Sequence, residues 1–375
     1  MKKLRLTTFF SLLSTVLLAQ TSSPITGEQP LGFEEYDPVS TLKIPEHKLS
    51  RSKFPFIDVH NHQFGMPKQD LKKLVANMDT LNMAVMINLS GRGGNTDENT
   101  AQLGESLGNI NTNAPRRVAI FTNVAFDGVG APGWTEKALK LLEDDIKRGA
   151  KGLKVYKNLG FSVKDAAGKL VAVDDARLNP IWKKCGELGV PVLIHTGDPR
   201  PFWDPLDRYN ERWLELKLNP RRKRGNPDEF TWEQLLEQQH HLFRNHPKTQ
   251  FIAAHMGWYP NNLGKLDSLL TAMPNMNVEI GAVIAELGRQ PRTGRKFFEK
   301  YQDRILFGKD SWVPSEYATY FRVLETEDEY FPYHKKYHAF WRMYGLGLSD
   351  AVLKKVYYKN ALRLIPGLDK TQFPQ

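Results

Sequence analysis

The sequence predicts one α/β domain, a (β/α)8 barrel of the TIM-barrel type with a long insertion after the fifth strand. Three observations carry this. Eight apolar runs of strand length recur along the chain, with amphipathic segments between them. The polar residues on those runs share one parity and gather toward the C-terminal ends, where barrels of this kind hold their chemistry. At 375 residues the chain is also long enough to bury one large core.

The chain opens on Lys2, Lys3 and Arg5, followed by an apolar stretch over residues 6–18. That order reads as a secretory signal over residues 1–20, and its apolar core is too short for a stable bilayer span. The expectation is an exported protein, periplasmic in a cell with two membranes and otherwise secreted, with no membrane span once the signal is cleaved. Residues 21–53 are rich in Pro, Gly, Ser and Thr and read as an extended arm. The barrel is expected over 54–367 and a short tail over 368–375. Cys185 is the single cysteine, so no internal disulfide forms, and no cysteine follows the apolar segment to carry a lipid. The formal charge is +10, and removing Lys2, Lys3 and Arg5 leaves 10 − 3 = +7. The basic residues are scattered. The dense run Arg221 to Arg224 sits in a Pro/Asn/Gly-rich loop and reads as a solvated tip, so a nucleic-acid partner is not expected. A homo-oligomer is neither required nor excluded.

The strand runs are residues 56–60, 83–89, 118–124, 152–157, 191–195, 251–255, 277–281 and 305–310. Helices are predicted over 71–81, 135–148, 180–188, 232–245 and 263–273 from apolar spacings of three and four. A barrel strand presents one face to the helices and the other to the interior. Ile57, Val59, Val85, Ile87, Leu153, Val155, Val192, Ile194, Val278 and Phe307 belong to the helix-facing set. The opposite parity holds Asp58, His60, Asn88, Asn123, Lys154, Tyr156, His195, His255, Glu279 and Asp310. A buried polar group costs free energy unless paired, so this many converging on one mouth are hard to explain as packing.

Asp58-Val59-His60-Asn61-His62 is the most informative stretch. Alternation places Asp58, His60 and His62 on one face at a strand end, where two imidazoles can share a cation. Alone, the stretch reads equally well as a histidine-rich surface turn. His195 ends the fifth run, His255 the sixth and Asp310 the eighth. Four imidazoles and a carboxylate suit one divalent cation, with zinc the expected metal.

In these residues the chain resembles the amidohydrolase superfamily, in its amidohydrolase-2 (amidohydrolase-related) branch. The resemblance runs from about Phe54 to Pro366 and includes the closing segment 348–364. The branch contains mononuclear metal-dependent hydrolases, lactonases, hydratases and non-oxidative decarboxylases. The resemblance implies a metal held by His60, His62 and His195 with Asp310 nearby. A metal there lowers the pKa of a bound water. Asp310 then moves the proton and His255 polarises the substrate carbonyl. Asp58 is expected to orient a ligating histidine from behind. In some superfamily members a strand-four lysine is carbamylated and bridges two metals. For Lys154, a salt bridge to Glu279 or a positive charge for a substrate carboxylate is the favoured expectation.

The substrate is expected to be a small, possibly anionic molecule. The stretch after His195 carries Arg200, Trp203, Arg208, Arg212 and Trp213, a composition that suits a lid over a planar or anionic ligand as well as a self-packed surface segment. Arg92 is a second anion-binding candidate, and Tyr156, Trp258, Lys154 and Glu279 are further substrate-facing candidates. The leading expectation is hydrolysis of an ester, lactone or amide-like bond. The alternatives are decarboxylation of an aromatic or unsaturated acid, and a non-catalytic metabolite-binding barrel.

Overall fold

The computed structural model describes residues 31–32, 34–93, 100–335 and 341–374. The chain divides into two units, Met1–Lys43 and Ile44–Gln375. In the first, residues 34–43 are exposed, with a turn closed by Glu35 N donating to Gly32 O at 3.0 Å. The expected signal segment lies outside the described residues. No helix among the described residues is long and apolar enough to cross a membrane.

The second unit is a parallel barrel. Its strands are β1 (Phe56–Asn61), β2 (Met83–Asn88), β3 (Val118–Ile120), β4 (Thr122–Asn123), β5 (Leu153–Val155), β6 (Val192–Ile194), β7 (Phe251–Ala253), β8 (Met276–Glu279) and β9 (Ile305–Leu306). β1-β2-β3 and β4-β5-β6-β7-β8-β9 are two parallel ladders. β3 and β4 are the two halves of the third barrel strand, separated at Phe121. Phe121 N still donates to Asn88 O at 3.0 Å, and Thr122 N donates to Gly152 O at 2.9 Å, so the wall is continuous there. Gly152 is needed at this joint, because a Cβ would sit 2.6 Å from the Phe121 ring. The eighth barrel strand closes on the first. Val59 N donates to Phe307 O at 3.0 Å, Asp310 N donates to His60 O at 2.6 Å, and Asn61 bridges Asp310 in parallel.

The helices α1 (Leu71–Leu81), α2 (Thr100–Asn113), α3 (Trp134–Arg148), α4 (Asn179–Glu187), α5 (Trp213–Leu218), α6 (Trp232–Asn245), α7 (Leu263–Ala272), α8 (Ile284–Gly288), α9 (Pro291–Lys300) and α10 (Tyr317–Glu325) follow their strands. α1 and α6 have the bounds the apolar spacing predicts. Each begins on a cap: Asp70 accepts from Lys73 N, and Thr231 with Gln234 forms a reciprocal capping box. Between β6 and α6 the chain makes two short 3-10 turns and α5. The C-terminal segment is Asp350–Lys354, a π turn at Lys355–Lys359, and Asn360–Leu364. Buried Asn360 donates from Nδ2 to Gln302 O and Ile305 O, both at 2.7 Å, and so pins the start of β9. Phe56, Phe307, Phe321 and Tyr357 pack together beneath the closing seam, with Phe56 and Phe307 edge-on at 4.7 Å.

Candidate metal centre and active site

Strand alternation carries His60 and Asp58 into the barrel from β1, Lys154 from β5 and Glu279 from β8, and all four are buried. His62 follows β1, and Asp310 lies where the eighth strand bridges back to Asn61. His60 Nε2 lies 3.3 Å from Asp310 Oδ1, and His62 Nε2 lies 3.7 Å from the same oxygen. Donor atoms of His60, His62 and Asp310 all fall within 4.8 Å of one another. Two ligands bound at about 2.1 Å to one ion lie roughly 3.0–3.4 Å apart at octahedral to tetrahedral angles. The three groups therefore fit a cation with small adjustments.

The hydrogen bonds behind the imidazoles leave the inward nitrogens free. Glu279 Oε1 accepts from His60 Nδ1 at 2.9 Å, which turns Nε2 inward, an atom that is buried without a hydrogen-bond partner. For His62 the tautomer is set by a relay. Tyr156 donates its hydroxyl proton to Leu89 O at 3.2 Å, Ser90 donates to the Tyr156 oxygen at 2.9 Å, and Ser90 Oγ thereby accepts from His62 Nδ1 at 2.8 Å. Burial first, then the charges of His60 and Lys154, push the His62 pKa well below its ordinary value, so the ring is neutral. Burial likewise pushes the Tyr156 hydroxyl up to about 12 and keeps it a donor.

His195 is set apart from this trio. Its Nδ1 lies 3.4 Å from His255 Nε2, and its own Nε2 is buried without a partner. His255 Nδ1 donates to Gly281 O at 2.7 Å, and the Trp258 indole packs on the His255 ring at 4.6 Å. The expected ligand set of His60, His62 and His195 is thus gathered only in part: Asp310 is the third member of the tight group, and His195 stands behind His255.

The backbone at the mouth is unusual. β7 stops at Ala253, and the chain passes through His255 (φ 57°), Met256 (φ 54°), Gly257 (φ 58°) and Trp258 (φ 59°), a left-handed turn in which three residues are not glycine. Ala282 (φ 56°) and Asp310 (φ 83°) are also left-handed. Such residues cost about 1–3 kcal/mol each and persist only where the surroundings fix them. His255 therefore reaches the interior through this turn and not by strand alternation.

Several expectations are redirected. Asp58 does not touch an imidazole. Its Oδ1 accepts from His60 N (3.0 Å) and Lys309 N (3.1 Å), and its Oδ2 accepts from Asn61 and from Tyr317 Oη, so it ties β1 to the eighth strand through the backbone. The carboxylate behind His60 is Glu279, which was expected to face substrate and is instead fully buried. Burial pushes the Glu279 carboxyl up, but the charge and hydrogen bond of His60 outweigh it and hold the pKa at about 2. Glu279 bonds His60 and not Lys154, whose Nζ is buried without a hydrogen-bond partner. Burial lowers Lys154 to about 8 against the pull of Asp310 and Glu279. The Arg92 guanidinium is held by Asp145 of α3 at 2.7 and 2.9 Å, deep in the wall. Arg200 pairs with Asp204 (3.4 Å) and Glu233 (3.1 Å). Ser90, missed from the sequence, is the link that fixes His62.

A closed (β/α)8 barrel with two histidines at the end of its first strand and an aspartate at the end of its eighth defines a class of barrel enzymes. Residues 57–367 match the sequence model of the Amidohydrolase family, and the chain belongs to that family. Among solved structures, a dihydroxybenzoic acid decarboxylase from Polaromonas sp. JS666, with bound manganese and 2-nitroresorcinol, is 16% identical, covers 83% of this chain and 97% of its own, and has a TM-score of 0.54. A protein from Staphylococcus aureus described as an amidohydrolase is 17% identical, covers 83% of this chain and 99% of its own, and has a TM-score of 0.53. At these identities the likeness is one of fold. A search of curated proteins found no match.

Proposed function

We propose that this chain is a metal-dependent hydrolase that adds water to an ester, lactone or amide-like bond of a small molecule. The observation that carries the reading is the convergence of His60 Nε2, His62 Nε2 and Asp310 Oδ1, with both imidazoles held from behind so that their Nε2 atoms face inward. A divalent cation held there, zinc or manganese, would lower the pKa of water and polarise a carbonyl. Asp310 takes the proton from the attacking water and returns it to the leaving group. Its side chain is 36% exposed whereas that of His60 is fully buried, so Asp310 stands on the open side. The imidazoles of His60, His255 and His62, together with Lys154, outweigh burial and hold its carboxyl well below the ordinary carboxylate range. His255, expected to polarise that carbonyl, spends its Nδ1 proton on Gly281 O, and burial lowers its pKa, so the ring presents Nε2 as an acceptor and not as a donor to the developing charge. The Lys2–Arg5 segment and the apolar stretch after it support an exported enzyme.

The second reading is non-oxidative decarboxylation at the same residues. The buried ammonium of Lys154 favours it, because a substrate carboxylate can lie against that charge. The experiment is metal analysis of the purified protein and of His60→Ala/His62→Ala, followed by a screen of lactones, esters and aromatic acids read by mass spectrometry. Hydrolysis adds water to the substrate, and decarboxylation removes carbon dioxide. Full metal occupancy in the double variant would remove the basis of both readings.

A further inference from the structure

The cations around the barrel mouth are nearly all committed. Arg92 is held by Asp145, Lys157 by Asp198 at 2.8 Å, Lys309 by Glu316 at 2.6 Å, and Arg212 by Glu215 and Glu286. Lys154 differs from each of them. It is 1% exposed, points into the barrel from β5, and its Nζ has no hydrogen-bond partner. The Tyr156 ring lies 5.5 Å from Nζ and offers a π face but no acceptor. Asp310 and Glu279 act on it through space without bonding it. Asp310 is a candidate ligand, and Glu279 is fully used by His60 Nδ1, His255 N and Gly281 N. A buried ammonium without an acceptor is costly, and folding offers no gain that would require one there. An anionic ligand supplies the missing acceptor.

We propose that Lys154 is a substrate-binding residue that grips a carboxylate lying between its ammonium and the cation held by His60, His62 and Asp310, so that the substrate is a carboxylic acid. The inference rests on the metal reading above and adds the chemical class of the substrate. It holds whether that carboxylate is kept through hydrolysis elsewhere in the molecule or is lost as carbon dioxide. Tyr156 serves both ends: its hydroxyl fixes His62 through Ser90, and its ring borders the Lys154 charge.

The test is calorimetric titration of the manganese-loaded, full-length protein with benzoate and with neutral benzamide. Manganese affinity is measured first, for the wild type, Lys154→Met and Lys154→Gln. Both variants are expected to keep manganese affinity within about threefold and to lose about 10- to 100-fold in benzoate affinity, the range for one buried charge-assisted hydrogen bond. Benzamide should bind the wild type more weakly than benzoate and be indifferent to the substitutions. Equal benzoate affinity in wild type and both variants, benzamide bound as tightly as benzoate, or a carbamate found on Lys154 by intact-mass analysis would each overturn the assignment. A wild type that binds no manganese sinks the metal reading itself. Manganese binding with benzoate affinity indifferent to Lys154 sinks this inference alone.

Discussion

Glu279 Oε1 accepts the Nδ1 proton of His60 across 2.9 Å, which joins the seventh and first barrel strands at the floor of the mouth. The same oxygen accepts from His255 N at 2.7 Å, and Oε2 accepts from Gly281 N at 2.5 Å. One carboxylate thus sets the tautomer of a candidate ligand and anchors the left-handed turn that carries His255.

Glu279→Gln keeps the shape but removes the charge. Metal affinity, measured by chelator competition, should fall about 10- to 100-fold, as for other partners that orient a ligating imidazole. Stability should change as well, with a defined sign. The folded pKa of about 2 lies below the ordinary 4.5, so the ionised carboxylate stabilises the fold above about pH 4.5, and this contribution is lost as pH falls toward 2. Wild type should lead the variant in denaturant melts of metal-free protein at pH 6, and the gap should close toward pH 2. A constant gap across that window would mean that Glu279 acts through packing alone.

Gly308 makes room for this carboxylate. A Cβ there would lie 2.3 Å from Glu279 Oε2 and 2.9 Å from His60 Cβ. Because Glu279 is pinned by three hydrogen bonds, it cannot swing away cheaply. Gly308→Ala should destabilise the protein by about 1–3 kcal/mol, the usual cost of overpacking, and weaken metal binding at the same time. Unfolding midpoints and metal titration on one preparation check both effects. A stable variant with unchanged metal affinity would show that the floor is looser than it looks.

The frame of this site is legible in the sequence because alternation is a rigid rule. His60, Lys154 and Glu279 lie within strands and are buried, as their inward parity requires. Where the backbone leaves the strand, that rule has nothing to say. Nothing in Ala-Ala-His255-Met-Gly announces that His255 and Met256 both take positive φ, since only a few per cent of non-glycine residues do so. Arg92 shows a different loss. Its partner Asp145 shares an apolar stripe of α3 with Ala138 and Leu142. A carboxylate in such a stripe signals a buried cation, and that signal would have redirected Arg92 from ligand binding to the wall. Glu279 takes the role expected of Asp58 because parity puts both inside but cannot say which carboxylate reaches the imidazole and which reaches the backbone.

Asp310→Asn should leave the barrel closed, since the Asp310 N to His60 O bond is made by the backbone. It removes the group assigned to proton transfer. Turnover on any substrate found by screening should fall by about two to four orders of magnitude, the range for a general acid–base residue. Metal content must be measured alongside, because Asp310 Oδ1 is also a candidate ligand. Turnover within tenfold of wild type at full metal occupancy would assign the proton to another residue.

Lys154→Met tests whether the buried ammonium is kept at the expense of stability. The folded pKa of about 8 lies below the ordinary 10.5, so burial disfavours the charged form by on the order of 3 kcal/mol. The sign follows from linkage. The unfolded chain holds the proton more tightly, so the cost is fully present below about pH 8 and is relieved as pH rises from 8 to 10.5. Metal-free Lys154→Met should therefore be more stable than wild type at pH 7, and its advantage should shrink between pH 8 and 10.5. Methionine fills nearly the same space and needs no acceptor, so little packing is lost. Denaturant melts across that pH range give the measurement. A variant less stable than wild type at pH 7 would mean that attraction to Asp310 and Glu279 exceeds the burial cost, and Lys154 would then be a structural cation. A variant more stable but poorer at binding benzoate would mark Lys154 as a group held in place for its ligand.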